Sequence, residues 1–154
     1  MKIALGCDHR GRMAIDELLP HLRAEGHDLV DVGDPNEGPC DYPDRAWKVA
    51  NLVASGEADR GILVCGTGIG MCIAANKVRG VRAALAPDEL SAELSRSHND
   101  ANVLCMSGDL LGQTLLRRIV SAWMATPFEG GRHARRVEMI NQIDRGVVPG
   151  SDSD

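Results

Sequence analysis

Short apolar runs alternate with amphipathic stretches along the whole chain. The first run, Ile3-Ala4-Leu5, predicts a strand over residues 2–7. Residues 11–25 follow with a helical period that puts Met13, Leu18, Leu19 and Leu22 roughly on one face, and Gly26 stops the helix. The pattern then repeats. Strands are predicted over 28–32, 61–65, 81–86 and 102–106, and helices over 46–55, 69–78, 89–97, 109–125 and 132–145. Gly33 to Pro43 holds three prolines and two glycines and reads as a loop. Asp88, after Pro87, is placed to cap the helix that follows it.

Five strand–helix alternations predict an α/β fold: a doubly wound, five-stranded parallel sheet with helices on both faces. No internal repeat or composition break divides the chain. One domain is expected over 1–146, and the polar stretch 147–154 is expected to be a frayed tail. In such a sheet ligands bind beyond the carboxyl ends of the strands. Chemistry is therefore expected just after residues 6, 32, 65, 86 and 106.

Composition sharpens this picture. Aromatic residues make up only 3% of the 154, against 44% hydrophobic, so the core must be built from Ala, Val, Ile and Leu. A formal net charge of −5 argues against non-specific nucleic-acid binding, which rests on clustered positive charge. No run is long or apolar enough for a membrane span, and the first residues lack a signal-peptide pattern. Neither nucleic acid nor membrane is expected as a partner, and a cytoplasmic location is expected. The five cysteines, at 7, 40, 65, 72 and 105, are odd in number and form no C-x-x-C pair. That argues against both disulfides and a zinc site.

The richest segment is Gly61-Ile62-Leu63-Val64-Cys65-Gly66-Thr67-Gly68-Ile69-Gly70. It reads as a buried strand ending on a thiol, then a turn with glycines at alternate positions, then a helix. Taken alone, Cys65 is a small buried hydrophobe. Its position beside helix-start amides makes it a candidate base or nucleophile with a lowered pKa. The glycine turn lacks the G-x-G-x-x-G spacing of dinucleotide sites and the Lys-Ser/Thr of a P-loop. It suits a small anion.

Other polar clusters fall near strand ends. Asp8 and His9 follow the first strand, where Asp8 either serves a ligand or caps the next helix. Ser97-His98-Asn99-Asp100 precedes the fifth strand, either as a site or as an Asn/Asp turn. Arg132 and Arg136, four apart at the start of the last helix, share a face. Such a pair suits a phosphate monoester, although a solvated basic surface is the commoner case.

Five pieces in order, GCDHRG at 6–11, DYP at 41–43, GILVCGTGIGMCIAANK at 61–77, SRSHNDANVL at 95–104 and EGGRHARRVE at 129–138, carry a resemblance. From Ile3 to about Ile143 the chain resembles the sugar-phosphate isomerases of the ribose-5-phosphate isomerase B type, a group that includes galactose-6-phosphate and allose-6-phosphate isomerases. The resemblance implies a Rossmann-like three-layer α/β/α sandwich. It also implies a homodimer with a shared active site, which two dimers could extend to a tetramer. The implied reaction is aldose–ketose isomerisation through a cis-enediol(ate), with ribose 5-phosphate as substrate and no metal or organic cofactor. Cys65 falls on the base, Thr67 on the residue that assists proton movement between sugar oxygens, and His98 on the acid/base that opens the ring. The amides of the turn, at Gly66, Gly68, Ile69 and Gly70, would hold the developing enediolate. Asp8, His9 and Asn99 match substrate contacts, and Arg132 and Arg136 match the phosphate clamp. Two other readings remain open: a hexose-6-phosphate isomerase, and a non-catalytic sugar-phosphate binding module. Residues 34–41 and Asp109 are candidates for setting sugar length.

One position departs from the resemblance. Asp109 stands where the family often carries a phosphate-binding arginine, and a carboxylate there would repel a phosphate dianion. Either Arg10 or Arg135 compensates, or Asp109 turns away as a helix N-cap, or the preferred substrate differs.

Overall fold

The computed structural model describes residues 1–33 and 38–150. Much of the 33–43 loop is therefore described, but its residues 34–37, and 151–154 of the tail, lie outside the described residues. Five strands, β1 (Lys2–Cys7), β2 (Asp28–Asp31), β3 (Arg60–Cys65), β4 (Ala83–Leu85) and β5 (Val103–Ser107), form one sheet. Its order is β2-β1-β3-β5-β4, and every pairing is parallel. Six helices connect and flank the strands: α1 (Arg12–Ala24), α2 (Tyr42–Ala54), α3 (Ile69–Ala75), α4 (Glu89–Ser97), α5 (Gln113–Ala125) and α6 (Arg132–Asp144). This is the doubly wound parallel sheet that the alternation predicts and the three-layer α/β/α sandwich that the resemblance implies.

Central strands β3 and β5 are apolar along their length because both of their faces are covered. One face carries Ile3, Leu5, Ile62, Val64, Leu104 and Met106 against α1, α4 and α5. The other carries Ala4, Leu63, Cys65, Val103 and Cys105 against α2 and α3. With so few aromatics, Trp123 of α5 is the largest fully buried side chain. The guanidinium groups of Arg60 and Arg96 lie 5.1 and 5.9 Å from its ring centroid. Truncating such a residue typically costs about 3–5 kcal/mol.

Several boundaries differ from the periodic reading, each for a local reason. Helix α2 starts at Tyr42 rather than 46, because Pro43 sits in its first turn, where no intrahelical N–H is needed. Helix α5 starts at Gln113 rather than 109. The amides of Asp109 and Leu110 are drawn instead to Gly66 O and Ser107 Oγ. Strand β4 is shorter than 81–86, since the Arg82 amide pairs with the Asn102 side chain rather than with the ladder. Helix α3 ends at Ala75, where the Asn76 side chain caps Cys72 O and bridges to Ala83. Met13 is 76% exposed, and the buried face of α1 is Ala14, Ile15, Leu18 and Leu22. As expected, the Asp88 carboxylate accepts the Ser91 amide at 2.7 Å and caps α4. No helix among the described residues is long and apolar enough to cross a membrane.

The strand order decides where a ligand can sit. From β1 the chain moves outward to β2, then crosses back to β3 on the other side of β1. The carboxyl ends of β1 and β3 therefore diverge into a crevice, the switch point of a doubly wound sheet. Cys7-Asp8 and Cys65-Gly66 lie at that crevice.

Candidate active site

Cys65 ends β3 with its thiol buried on the α2/α3 face, 4% exposed. The turn after it is held open by Gly68, whose φ of 76° is left-handed. A Cβ on Gly68 would lie 2.6 Å from Leu85 Cδ1 and 2.8 Å from the Met106 carbonyl carbon. This backbone shape turns the Gly68 N–H back onto Cys65 Sγ at 3.2 Å. The sulfur is thereby fixed as an acceptor. The Ile69 N–H is taken by Thr67 Oγ1 at 3.3 Å. The amides of Gly66, Thr67 and Gly70 have no partner among the described residues. A thiol acceptor thus borders three open N–H donors, an arrangement suited to removing a proton and holding the oxyanion that results.

Neighbouring loops lace this turn in place. Ser107 Oγ donates to Gly66 O at 2.6 Å, the Gly108 N–H to Cys65 O at 2.8 Å, and the Asp109 N–H to Gly66 O at 3.2 Å. On the other flank the Tyr42 ring covers Gly70 so closely that a Cβ there would be 2.6 Å from it. Ser107 and Tyr42 support the turn without having stood out as single residues in the sequence. Tyr42 belongs to the DYP piece, and Ser107 has no sequence signal beyond its place at a strand end.

At the end of β1, Asp8 is 7% exposed, and its Oδ1 accepts the N–H groups of Arg10 (2.9 Å) and Gly11 (3.0 Å). The capping alternative therefore describes this oxygen, although the cap is to the turn and Gly11 itself is the N-cap of α1. His9 is exposed at the same edge. Asp109 is not a helix cap either: Gly112 precedes α5, and the Asp109 carboxylate is engaged by Arg10. Arg135, on α6, is instead 3.9 Å from Met139 Sδ.

His98, Asn99, Arg132 and Arg136 lie elsewhere. Helix α4 runs back from the carboxyl edge and is C-capped by His98, just before Asn102 enters the sheet beside Gly61. The Glu129 N–H donates to Ser97 O, which brings the start of α6 to this same amino-terminal edge. From Gly61 to Cys65 the strand rises by four residue steps, roughly 13 Å. One chain therefore carries two clusters of candidate residues, a Cys65 half and a His98 half, at opposite ends of its sheet.

In the His98 half, the imidazoles of His98 and His133 stack with centroids 4.1 Å apart and planes 4° apart. His133 is buried, with Arg132 Nε 3.4 Å and Glu129 Oε2 3.7 Å from its Nε2. Desolvation, reinforced by His98 and Arg132, pushes its pKa below the ordinary 6.5. Arg132 and Arg136 are exposed beside it. His98, Glu129 and His133 offer donor atoms within 4.8 Å of one another. Parallel rings aim their in-plane lone pairs side by side rather than at a common point, which fits a stack better than a metal centre.

Comparison with known proteins is consistent with this geometry. Residues 3–140 match the ribose/galactose isomerase family. The chain is 47% identical over 144 residues to ribose-5-phosphate isomerase B of Escherichia coli, covering 94% of this chain and 97% of that protein. It is similar to the structure of ribose-5-phosphate isomerase B from Clostridium thermocellum, with a TM-score of 0.92, 45% identity and coverage of 95% and 99%. It is also similar to ribose-5-phosphate isomerase B from Mycoplasma genitalium, solved with bound ribulose-5-phosphate, with a TM-score of 0.90, 40% identity and coverage of 94% and 96%. A family match over residues 3–140, with relatives and solved folds that match over most of the chain, settles the kinship: this chain belongs to the ribose/galactose isomerase family.

Proposed function

We propose that this chain is an aldose–ketose isomerase that interconverts ribose 5-phosphate and ribulose 5-phosphate through a cis-enediolate. The observation that carries this reading is the Cys65 turn, where a sulfur held by the Gly68 amide faces the open amides of Gly66, Thr67 and Gly70. The names of the relatives supply the sugar.

In this mechanism Cys65, as thiolate, takes the proton from the carbon next to the aldehyde. That carbon acid is weak, so charge develops on the carbonyl oxygen. The open amides meet that oxygen, where preorganised donors lower the barrier most. The Thr67 hydroxyl moves a proton between the two oxygens of the enediolate, and Cys65 returns its proton to the neighbouring carbon. His98 opens the sugar ring, a proton-shuttling step that suits an imidazole. Arg132 and Arg136 hold the phosphate with forked hydrogen bonds. Asp8 shapes the turn beside the sugar, and His9 and Asn99 contact its hydroxyls.

Both half-sites are needed, and one chain keeps them apart, so the active form is a homodimer in which each Cys65 half faces the His98 half of a second copy. Helix α6 supports this arrangement. It packs sparsely on its own chain and exposes Ile140 and Ile143, while α3 exposes Ile69 and Ile73. These apolar side chains suit a partner surface.

A turnover panel tests the reading with ribose 5-phosphate, allose 6-phosphate, galactose 6-phosphate and the three unphosphorylated sugars. The expected result is the highest kcat/KM on ribose 5-phosphate. Preference for a hexose phosphate would move the chain to the hexose-6-phosphate reading. Binding without turnover of any sugar would leave only a binding module.

A further inference from the structure

Arg10 and Asp109 are 99 residues apart in sequence and meet at the mouth of the Cys65 half-site. Arg10 Nε donates to Asp109 Oδ2 at 2.8 Å, and Nη2 forms an ion pair with the same oxygen at 2.6 Å. The backbone that carries Asp109 is held beside the turn, because its own N–H is bound to Gly66 O and the preceding Gly108 N–H to Cys65 O. The guanidinium is therefore pinned against the reaction turn: a Cβ built on Gly66 would lie 3.0 Å from Arg10 Nε. The arginine side chain is nonetheless 57% exposed. Its Nη1 edge and the second Nη2 hydrogen stay open to a ligand.

No other guanidinium in the described loops after β1, β3 and β5 has this freedom. Arg12, at the start of α1, spends Nη1 on Asp31 and Nε and Nη2 on Asp16. Arg10 is divided differently. One edge is paired with a carboxylate on a held backbone, and the other is open to solvent. Fixing a rotamer-rich side chain in advance reduces the ordering cost when it binds. The free edge presents N–H groups in the fork that matches two oxygens of a phosphate. Asp109, which alone would repel a dianion, is neutralised by the arginine it holds.

We propose that Arg10, positioned by Asp109, is an anion-binding residue of the Cys65 half-site that contacts the phosphate of the substrate. It adds a cation from the chain that carries the base to the Arg132/Arg136 pair from the second copy. The inference rests on the isomerase reading of the site. It makes positions 10 and 109 one unit, in which 10 binds and 109 orients.

The test compares wild type with Arg10→Ala, Arg10→Lys and Asp109→Asn, each checked for an unchanged melting transition. Initial rates are measured on ribose 5-phosphate and on unphosphorylated ribose, and inorganic phosphate is titrated by calorimetry. Arg10→Ala is expected to raise KM for ribose 5-phosphate and Kd for inorganic phosphate by roughly 10- to 100-fold, the range for losing a charged hydrogen bond. Its kcat and its rate on ribose should stay near wild type. Arg10→Lys should fall between, since a point charge cannot serve Asp109 and the phosphate with one fork. Asp109→Asn should raise the same KM by a smaller factor, and adding it to Arg10→Ala should recover part of the Arg10→Ala loss, because it removes the carboxylate that Arg10 no longer neutralises. An unchanged phosphate Kd in Arg10→Ala overturns the proposal. So does an equal loss on ribose and ribose 5-phosphate, which would mark a purely structural pair. If wild type isomerises no sugar phosphate, the isomerase reading fails, and the calorimetric arm still reports on Arg10.

Discussion

His98 and His133 stack face to face, 4.1 Å between centroids, although 35 positions separate them in the chain. The stack has a consequence for pH. Burial and the nearby His98, Arg132 and Arg136 lower the pKa of His133 from 6.5, and only Glu129 opposes them. Below pH 6.5 the unfolded chain therefore takes up a proton that the folded chain resists. Linkage then makes stability fall as pH drops from above 6.5 toward the lowered value. Melting temperature should decline over that window in wild type and decline less steeply in His133→Gln. Parallel slopes in the two proteins would contradict the assignment.

Gly68→Ala should damage both stability and turnover. The left-handed backbone alone costs about 1–2 kcal/mol for a residue with a Cβ, and this Cβ would also strike Leu85 and Met106. Relief of that clash moves the Gly68 amide away from Cys65. Gly80, with φ of 85° and open space around it, is the control. Gly80→Ala should lower the urea midpoint and spare kcat. Equal kcat in the two variants would remove the Gly68 amide from the mechanism.

The remaining thiols differ in reactivity. Cys72 is lowered from 9.0 to about 7, chiefly by a hydrogen bond with Cys105 and despite partial burial. Burial pushes Cys7 up to about 12 and Cys105 well above 9.0. Iodoacetamide at pH 7.5 should therefore label Cys72 well before Cys7 or Cys105, with a rate that rises through about pH 7 and then levels. Peptide mass spectrometry reads this directly. Prior labelling of Cys7 or Cys105 would contradict it.

Much of the scaffold was legible because buried parallel strands write themselves as short apolar runs, as in Ile62-Leu63-Val64 and Val103-Leu104-Cys105. Boundaries were less so. Pro43 reads as a loop residue yet opens a helix, and Leu110 looks helical until Ser107 captures its amide. The Cys65 turn was legible too, because glycine spacing and a strand-end thiol are local signals. Long-range pairings were not. Nothing near Arg10 announces Asp109, and nothing near His98 announces His133, since each contact depends on which strands become neighbours. The separation of Cys65 from His98 follows from the same cause. Only the order β2-β1-β3-β5-β4 and the backward run of α4 put them at opposite edges.

The central claim is that Cys65 of one copy works with His98 of another. Subunit mixing tests it most directly. Cys65→Ala and His98→Ala, carrying different tags, are each expected to be nearly inactive. Co-expressed, they should form mixed dimers in which one of two sites has both groups intact. With random pairing, activity should return to about one quarter of wild type, because about half the dimers are mixed. Recovery of that size supports the shared site. Mixed dimers that stay inactive, or a Cys65→Ala enzyme that turns over at the wild-type rate, would contradict it.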